Sequence, residues 1–381
     1  MKKFHIGMVG CGFAAQLHME AWRLVHGYEA VVAALATKSL RREQFAARHG
    51  IEKIYDTLEE LLRDPTIDIV DICTPPDVHG DMIVKSLAAG KHTICEKPLC
   101  GYFAPGDTPK DIMYDAVMAE LERLKLTVSQ AGAKFFYAEN FVYAPAVVKS
   151  REILEKTKQK ILLMKGEESH SGSHAPHAAR WSHTGGGSLI RQGCHPLSAL
   201  LYLKQIEAKV RGENIALAAV TADVGNAVSA LAENERAFIQ ARPVDVEDIA
   251  VAVYTFSDGT KAAVLAGDMV TGGVRNLIEL YTNEGVQLCN IAPNDSMRVY
   301  QVRAEALSDV YVTEKVETKA GWQDVCVEES FARGYVGEMQ DFLKCVDQGK
   351  EPQSGITLAC ETMKAIYGAY RAAESGVKFH F

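Results

Sequence analysis

The stretch Phe4-His5-Ile6-Gly7-Met8-Val9-Gly10-Cys11-Gly12-Phe13-Ala14-Ala15 decides how the rest of the chain is read. A short apolar run ends in glycines, and helical spacing takes over across 14–25. Gly10, Gly12 and Ala15 therefore form a G-x-G-x-x-A turn between a strand and a helix. The first glycine permits a tight turn, the second lets the main chain approach a pyrophosphate, and small Ala15 lets the helix pack closely on the strand. Free N–H groups and the dipole at the helix start favour phosphate. Gly10, Gly12, Phe13 and Ala15 are thus candidate cofactor-binding residues.

Outward from this turn, strands and helices alternate. Strands are expected at 30–35, 67–73, 93–95 and 134–137, and helices at 40–49, 58–63, 78–89 and 113–131. Such a βαβ rhythm gives a parallel sheet with helices on both faces. The texture changes near residue 139. A strand at 161–164 comes first, then a loop rich in Gly, Ser and His across 169–187 and a helix from about Leu189. Several strands follow across 246–288, with turn signals at Ser257-Asp258-Gly259 and Asn283-Glu284-Gly285. Two helices close the chain at 336–347 and 356–374. The expected architecture is α/β: a doubly wound, Rossmann-type domain over 1–138, then an α+β domain over 139–381. The second domain has an open, mostly antiparallel sheet, and its C-terminal helices are free to pack back on the first domain.

The end of the second strand bears on cofactor choice. An NAD site usually carries Asp or Glu there, which accepts from the ribose hydroxyls and repels a 2′-phosphate. Here the segment is Ala36-Thr37-Lys38-Ser39, with Arg41 and Arg42 close behind. Hydroxyl and cationic groups at Thr37, Lys38 and Arg42 suit a 2′-phosphate. The reading favours NADP, with NAD as the alternative.

Composition removes several function classes. The 381 residues carry a net charge of -8, which argues against broad binding to nucleic-acid backbones. Nine cysteines with no C-x-x-C spacing do not make a disulfide framework or zinc ribbon, and a reducing cytoplasm suits them. Lys2 and Lys3 precede an apolar stretch, but His5 and the glycines break it, so it reads as strand and turn rather than leader. No run of about 18 apolar residues marks a membrane span.

Two further motifs carry a resemblance. Asp71-Ile72-Cys73-Thr74-Pro75-Pro76-Asp77-Val78-His79 is followed by Ala89-Gly90-Lys91-His92-Thr93-Ile94-Cys95-Glu96-Lys97-Pro98-Leu99. Together with Gly185-Gly186-Gly187-Ser188-Leu189 through His195, and the segment 338–370, this resembles the Gfo/Idh/MocA oxidoreductases, which include glucose–fructose oxidoreductase and inositol dehydrogenases. The residues also stand on their own chemistry. Lys97 follows a parallel strand at the edge where ligands sit in open α/β sheets, and an ammonium there can stabilise developing alkoxide charge.

The resemblance implies that Lys97 orients substrate and relays protons and that His195 faces the substrate as acid, base or orienting group. It implies that Thr74, Pro75, His79 and Glu96 border the cofactor and that Asn140 and Tyr143 line the cleft. It also marks a departure. The family often has Asp four residues before the histidine and another three after it, where this chain has Arg191 and Ser198. His195 is therefore expected to lack its usual carboxylate partner, and Arg191, on one helix face with His195, is expected to keep it neutral and to contact substrate.

The loop with His170, His174, His177 and His183 could gather a metal with Glu167, Glu168 and His195, but its spacing is no metal signature, and no metal is expected. His174 and Trp181 are read instead as substrate or lid contacts, Trp181 by stacking on a sugar ring. The leading function is hydride transfer between a nicotinamide and a hydroxyl of a sugar, cyclitol or glycoside. Rival readings are a glycosidase working by transient oxidation, a nucleotide-binding sensor, and an imine or biliverdin-type reductase. A helix-free face of the second sheet would need cover, which predicts a homodimer or homotetramer.

Overall fold

The computed structural model describes residues 1–173, 175–292, 297–302, 304–308, 314–325 and 329–381. The opening apolar run forms β1 (Lys2–Val9), and the glycine turn leads into α1 (Phe13–Leu24). Next come β2 (Tyr28–Ala36), α2 (Arg42–His49), β3 (Lys53–Tyr55) and α3 (Leu58–Leu62). Then follow β4 (Ile69–Ile72), α4 (His79–Ala88), β5 (His92–Glu96), α5 (Lys110–Gln130) and β6 (Phe135–Ala138). The six strands pair in parallel in the order β3-β2-β1-β4-β5-β6. The order reverses direction between β1 and β4, so the glycine turn and the ends of β4, β5 and β6 open on one crevice. In β4 all four residues are buried, as a strand covered on both faces requires.

The rest of the chain builds a second sheet. Helix α6 (Pro145–Thr157), with proline at its first turn, precedes β7 (Ile161–Ser169). Short α7 (Trp181–Thr184) and α8 (Ser188–Arg191) lead to α9 (Cys194–Arg211). The strands β8 (Leu217–Gly225), β9 (Ile249–Phe256), β10 (Lys261–Gly267), β11 (Arg275–Thr282) and β12 (Val286–Asn290) follow. A separate pair, β13 (Met297–Gln301) and β14 (Gly321–Val325), precedes α10 (Glu329–Ala332), α11 (Tyr335–Gln348), α12 (Ile356–Ser375) and β15 (Phe379–His380). The seven-stranded order is β12-β11-β7-β10-β9-β8-β15, antiparallel throughout except for β7 with β10. An α/β Rossmann sheet joined to a mostly antiparallel mixed sheet is the architecture expected from the sequence.

Helices α6, α9 and α12 pack on this sheet, and α12 also packs against α5 and β6 of the first sheet. The three consecutive glycines at 185–187 belong to this junction. A Cβ at Gly187 would stand 1.9 Å from the Glu247 carbonyl oxygen, so nothing larger than glycine fits. Buried Glu247 in turn accepts from Gly187 N (2.8 Å), Leu189 N (2.9 Å) and the Tyr370 hydroxyl (2.7 Å), which fixes the start of α8. Among the described residues no helix is long and apolar enough to cross a membrane, and the eight described cysteines are unpaired.

Candidate active site

Gly10 has φ +101, and a Cβ there would lie 2.4 Å from the Cys73 carbonyl oxygen, so the turn demands glycine on two counts. Gly12 begins α1 with no side-chain cap, and a Cβ on it would meet nothing within 4 Å. The helix start therefore keeps its N–H groups and an open approach, a cradle that fits a diphosphate. Ala15 is fully buried against the sheet, while Phe13 is 66% exposed at the mouth of the cleft.

At the end of β2 the picture differs in part from the sequence reading. Thr37 accepts from Ser39 N at 3.2 Å, and Lys38 points to solvent. Arg42, expected on the cofactor, is tied elsewhere: its guanidinium pairs with Asp56, donates to Thr37 O (3.3 Å) and lies 3.4 Å from Glu43. The neighbouring Arg41 faces the glycine turn instead. It lines a cavity of about 380 Å³ beside the glycine turn, with Cys11, Gly12, Phe13, Gln16 and Arg48.

Lys97 follows β5 directly, and its peptide bond to Pro98 is cis. Its main-chain N–H donates to Glu96 Oε2 (2.9 Å) and its Nζ to Arg191 O (2.7 Å). An ammonium has three donors, so two are left for a ligand. Burial alone would lower the Lys97 pKa, but Cys194, Glu168, Glu96 and Glu139 outweigh it and raise the amine above its ordinary value. The Cys194 thiol is itself pushed up by burial and stays neutral near pH 7, so the carboxylates keep Lys97 charged.

His195 meets a carboxylate from outside its own helix. Its Nδ1 lies 2.6 Å from Oε1 of Glu139, which is fully buried, and its ring stacks on Phe141 at 4.9 Å. A carboxylate facing Nδ1 fixes the proton there and turns Nε2 free for a substrate. The expectation of a missing partner is thus corrected. Glu139 comes from the residue after β6, and the sequence reading passed over it.

Glu96, Lys97, Glu168, His170, Arg191, His195, Arg333 and Tyr335 are among the residues that line one cleft of about 300 Å³. Glu168, at the end of β7, is nine-tenths buried, and burial raises its pKa. His170 is pushed down to about 4, mainly by burial. Arg191 does not share a helix face with His195. Helix α8 ends at Arg191, α9 begins at Cys194, and the Arg191 guanidinium pairs with buried Asp268. Its charge is spent on Asp268, so the basis for a lone cation beside His195 is gone, although Arg191 still lines the cleft.

Several other residues expected in the site are tied into the frame around it. His79 is buried, and its ring nitrogens each lie 2.9 Å from a carbonyl, Pro98 O and Thr74 O, clamping the main chain on either side of the cleft edge. Thr74 and Pro75 lead into that clamp, with the Thr74 hydroxyl against Met82 Sδ at 3.6 Å. Asn140 is buried and donates to Arg333 O (2.8 Å). Tyr143 is buried between Asp341 (3.0 Å) and Ser354 N (3.0 Å), away from the cleft. Trp181 is 3% exposed, donates to Tyr102 O (3.0 Å), and packs on Tyr370 with Lys110 over its ring, so it has no free face for a sugar. His174 lies outside the described residues. Among the described residues, His177 and His183 join no metal-capable group, whereas Glu139, Cys194 and His195 bring ligand atoms within 4.8 Å of one another.

The fold has known counterparts. Residues 4–114 match the model of the Gfo/Idh/MocA oxidoreductase family, NAD-binding Rossmann fold, and residues 160–287 match a C-terminal domain of the same family. Levoglucosan dehydrogenase of Pseudarthrobacter phenanthrenivorans is 24% identical over 92% of this chain and 90% of that protein. D-apiose dehydrogenase of Paraburkholderia graminis is 28% identical over 39% of this chain and 35% of that protein. Among solved structures, GenD2 from gentamicin A biosynthesis in complex with NAD superposes with a TM-score of 0.80 at 22% identity, covering 100% of this chain and 97% of that one. Scyllo-inositol dehydrogenase from Lactobacillus casei, with bound NAD(H) and scyllo-inositol, gives 0.74 at 17% identity, covering 100% and 99%. The chain belongs to the Gfo/Idh/MocA family of oxidoreductases.

Proposed function

We propose that this protein is a nicotinamide-dependent dehydrogenase acting on a secondary hydroxyl of a sugar, cyclitol or glycoside. The observation that carries the reading is the convergence of Lys97 and the Glu139–His195 pair on one cleft beside the glycine turn. The turn and the α1 N-terminus would hold the cofactor diphosphate, and the bound nicotinamide would supply the hydride acceptor. Lys97 donates to the reacting oxygen and stabilises its developing charge. His195 takes the hydroxyl proton at Nε2, and Glu139 stabilises the imidazolium that results. Tests with a panel of sugars, inositols and glycosides and both cofactors, followed by absorbance of reduced nicotinamide, check this. Reduction with at least one polyol is expected. No reduction with any overturns the reading, and glycoside cleavage without reduced cofactor points to transient oxidation.

NADP is the proposed cofactor, supported by Lys38 and Arg41 at the end of β2, where no carboxylate occupies the ribose position. NADP should bind more tightly than NAD by roughly tenfold, about 1.4 kcal/mol. Titration calorimetry on wild type and Lys38→Asp checks this: the variant should lose the preference, and an equal affinity in wild type rejects it.

Catalysis is proposed to need no metal, since Lys97 already supplies the cation at the reacting oxygen. Turnover should persist undiminished in excess EDTA, and a loss restored by added zinc or manganese contradicts the proposal. Self-association is also proposed. In the second sheet Val251, Val286 and Leu288 share the face opposite the helices and are 45%, 56% and 70% exposed. A second copy would cover this face. Light scattering should give a dimer or tetramer, and Val251→Glu with Leu288→Glu should dissociate it.

A further inference from the structure

Beneath Lys97 lies a buried histidine that the proposed reaction does not touch. His18, on α1, has no exposed surface. Its Nδ1 lies 2.9 and 3.1 Å from the two carboxylate oxygens of Asp71, at β4, and its Nε2 lies 3.0 Å from Oε1 of Glu96, at the end of β5. A neutral imidazole has one donor and one acceptor, and a bare ring nitrogen facing a carboxylate is repelled. While both carboxyls are ionised, only the doubly protonated ring satisfies both contacts. The remaining oxygens are also committed: Trp22 Nε1 donates to Asp71 (2.9 Å), and Lys97 N donates to Glu96 Oε2 (2.9 Å). A single path of hydrogen bonds therefore runs from Asp71 through His18 and Glu96 to the main chain of Lys97.

We propose that His18 is a positioning residue for Lys97: a permanent imidazolium, clamped between Asp71 and Glu96, that holds the Glu96 carboxylate on the Lys97 N–H. This rests on Lys97 being the group that meets substrate. The surroundings fit a fixed charge. Besides the two carboxylates, the ring faces Cys73 Sγ at 3.3 Å and, from α11, the Tyr335 ring at 6.4 Å and Glu338. Burial pushes the pKa of both the Cys73 thiol and the Glu338 carboxyl up, toward their neutral forms. Burial would also drive the imidazole to its neutral form, but Asp71 and Cys73 together outweigh it and lift the pKa well above the ordinary histidine value. Glu96, which burial alone would raise, is brought below its ordinary value chiefly by His18.

Removal of the imidazolium leaves two buried carboxylates without a cation between them, which favours uptake of a proton by one of them. The first test is magnetic resonance of histidine-labelled protein, with the His18 signals assigned by their absence in His18→Gln. At about pH 8 both ring nitrogens should carry protons, and a bare nitrogen overturns the proposal whether or not the variant folds. The second test uses any polyol that the wild type oxidises. Displacing a positioned group by about 1 Å costs roughly a hundredfold in rate. His18→Gln should lose kcat on that scale, keep its cofactor affinity, and gain an ionisation in its rate profile between about pH 6 and 9. A pH profile with the wild-type shape shows a merely structural histidine and overturns the positioning role. Should no polyol be oxidised, the proposed reaction fails, while the ring-nitrogen measurement still decides the charge of His18.

Discussion

Lys97→Ala is expected to lower kcat by roughly 10²- to 10³-fold, about 2.7–4 kcal/mol of transition-state stabilisation, with cofactor affinity nearly unchanged. The ammonium lines the cleft and donates to Arg191 O, while Glu96 accepts from the Lys97 main-chain N–H. The loss should appear in kcat rather than KM, because the charge it answers develops only during reaction. The sign of the pH dependence follows from its surroundings. The Lys97 pKa is raised, so the amine stays protonated well beyond neutrality. The wild-type rate should therefore show no alkaline fall from Lys97 below about pH 10, its ordinary range. Steady-state kinetics and cofactor titration of the variant decide the matter. A kcat within a few-fold of wild type places the reacting oxygen elsewhere.

Much of the fold was legible because it rests on local demands. The turn at Gly10 needs a positive φ and a missing Cβ, and the sequence announces both between an apolar run and a helical pattern. The turn signals at Ser257-Asp258-Gly259 and Asn283-Glu284-Gly285 also fall between β9 and β10 and between β11 and β12. Helix α6 escaped the reading although Pro145 at its first turn, with Val147 and Leu154 on its buried face, signalled it.

The site was harder because its partners are distant in sequence. Glu139 and His195 are 56 residues apart, and nothing near either names the other. Tyr143 and Trp181 carried chemistry suited to sugars, yet both are buried in the frame, which residue type alone cannot reveal. Arg42 was read as a free cation because Asp56, its partner, stands 14 residues away at the far end of β3. His18 did leave a trace. Ala15, His18, Met19 and Trp22 repeat at helical spacing, which marks His18 as facing the sheet rather than solvent.

Glu139→Gln should separate chemistry from structure most sharply. The amide keeps the shape and leaves an oxygen to accept from His195 Nδ1–H, but it removes the negative charge. What is lost is stabilisation of the imidazolium that forms as His195 takes the substrate proton. In a comparable histidine–carboxylate pair the isosteric amide costs roughly 10⁴-fold in kcat, partly through the wrong tautomer, so a loss between about 10² and 10⁴ is expected here. Stability should move the other way or not at all. Glu139 is fully buried and its Oε2 has no hydrogen-bond partner among the described residues, so a charge there bears a desolvation cost that glutamine does not. The thermal midpoint of Glu139→Gln should stay within a few degrees of wild type or rise. A large fall in midpoint with a proportionate fall in activity would make Glu139 a structural residue. A normal midpoint with normal turnover would remove the Glu139–His195 pair from the mechanism.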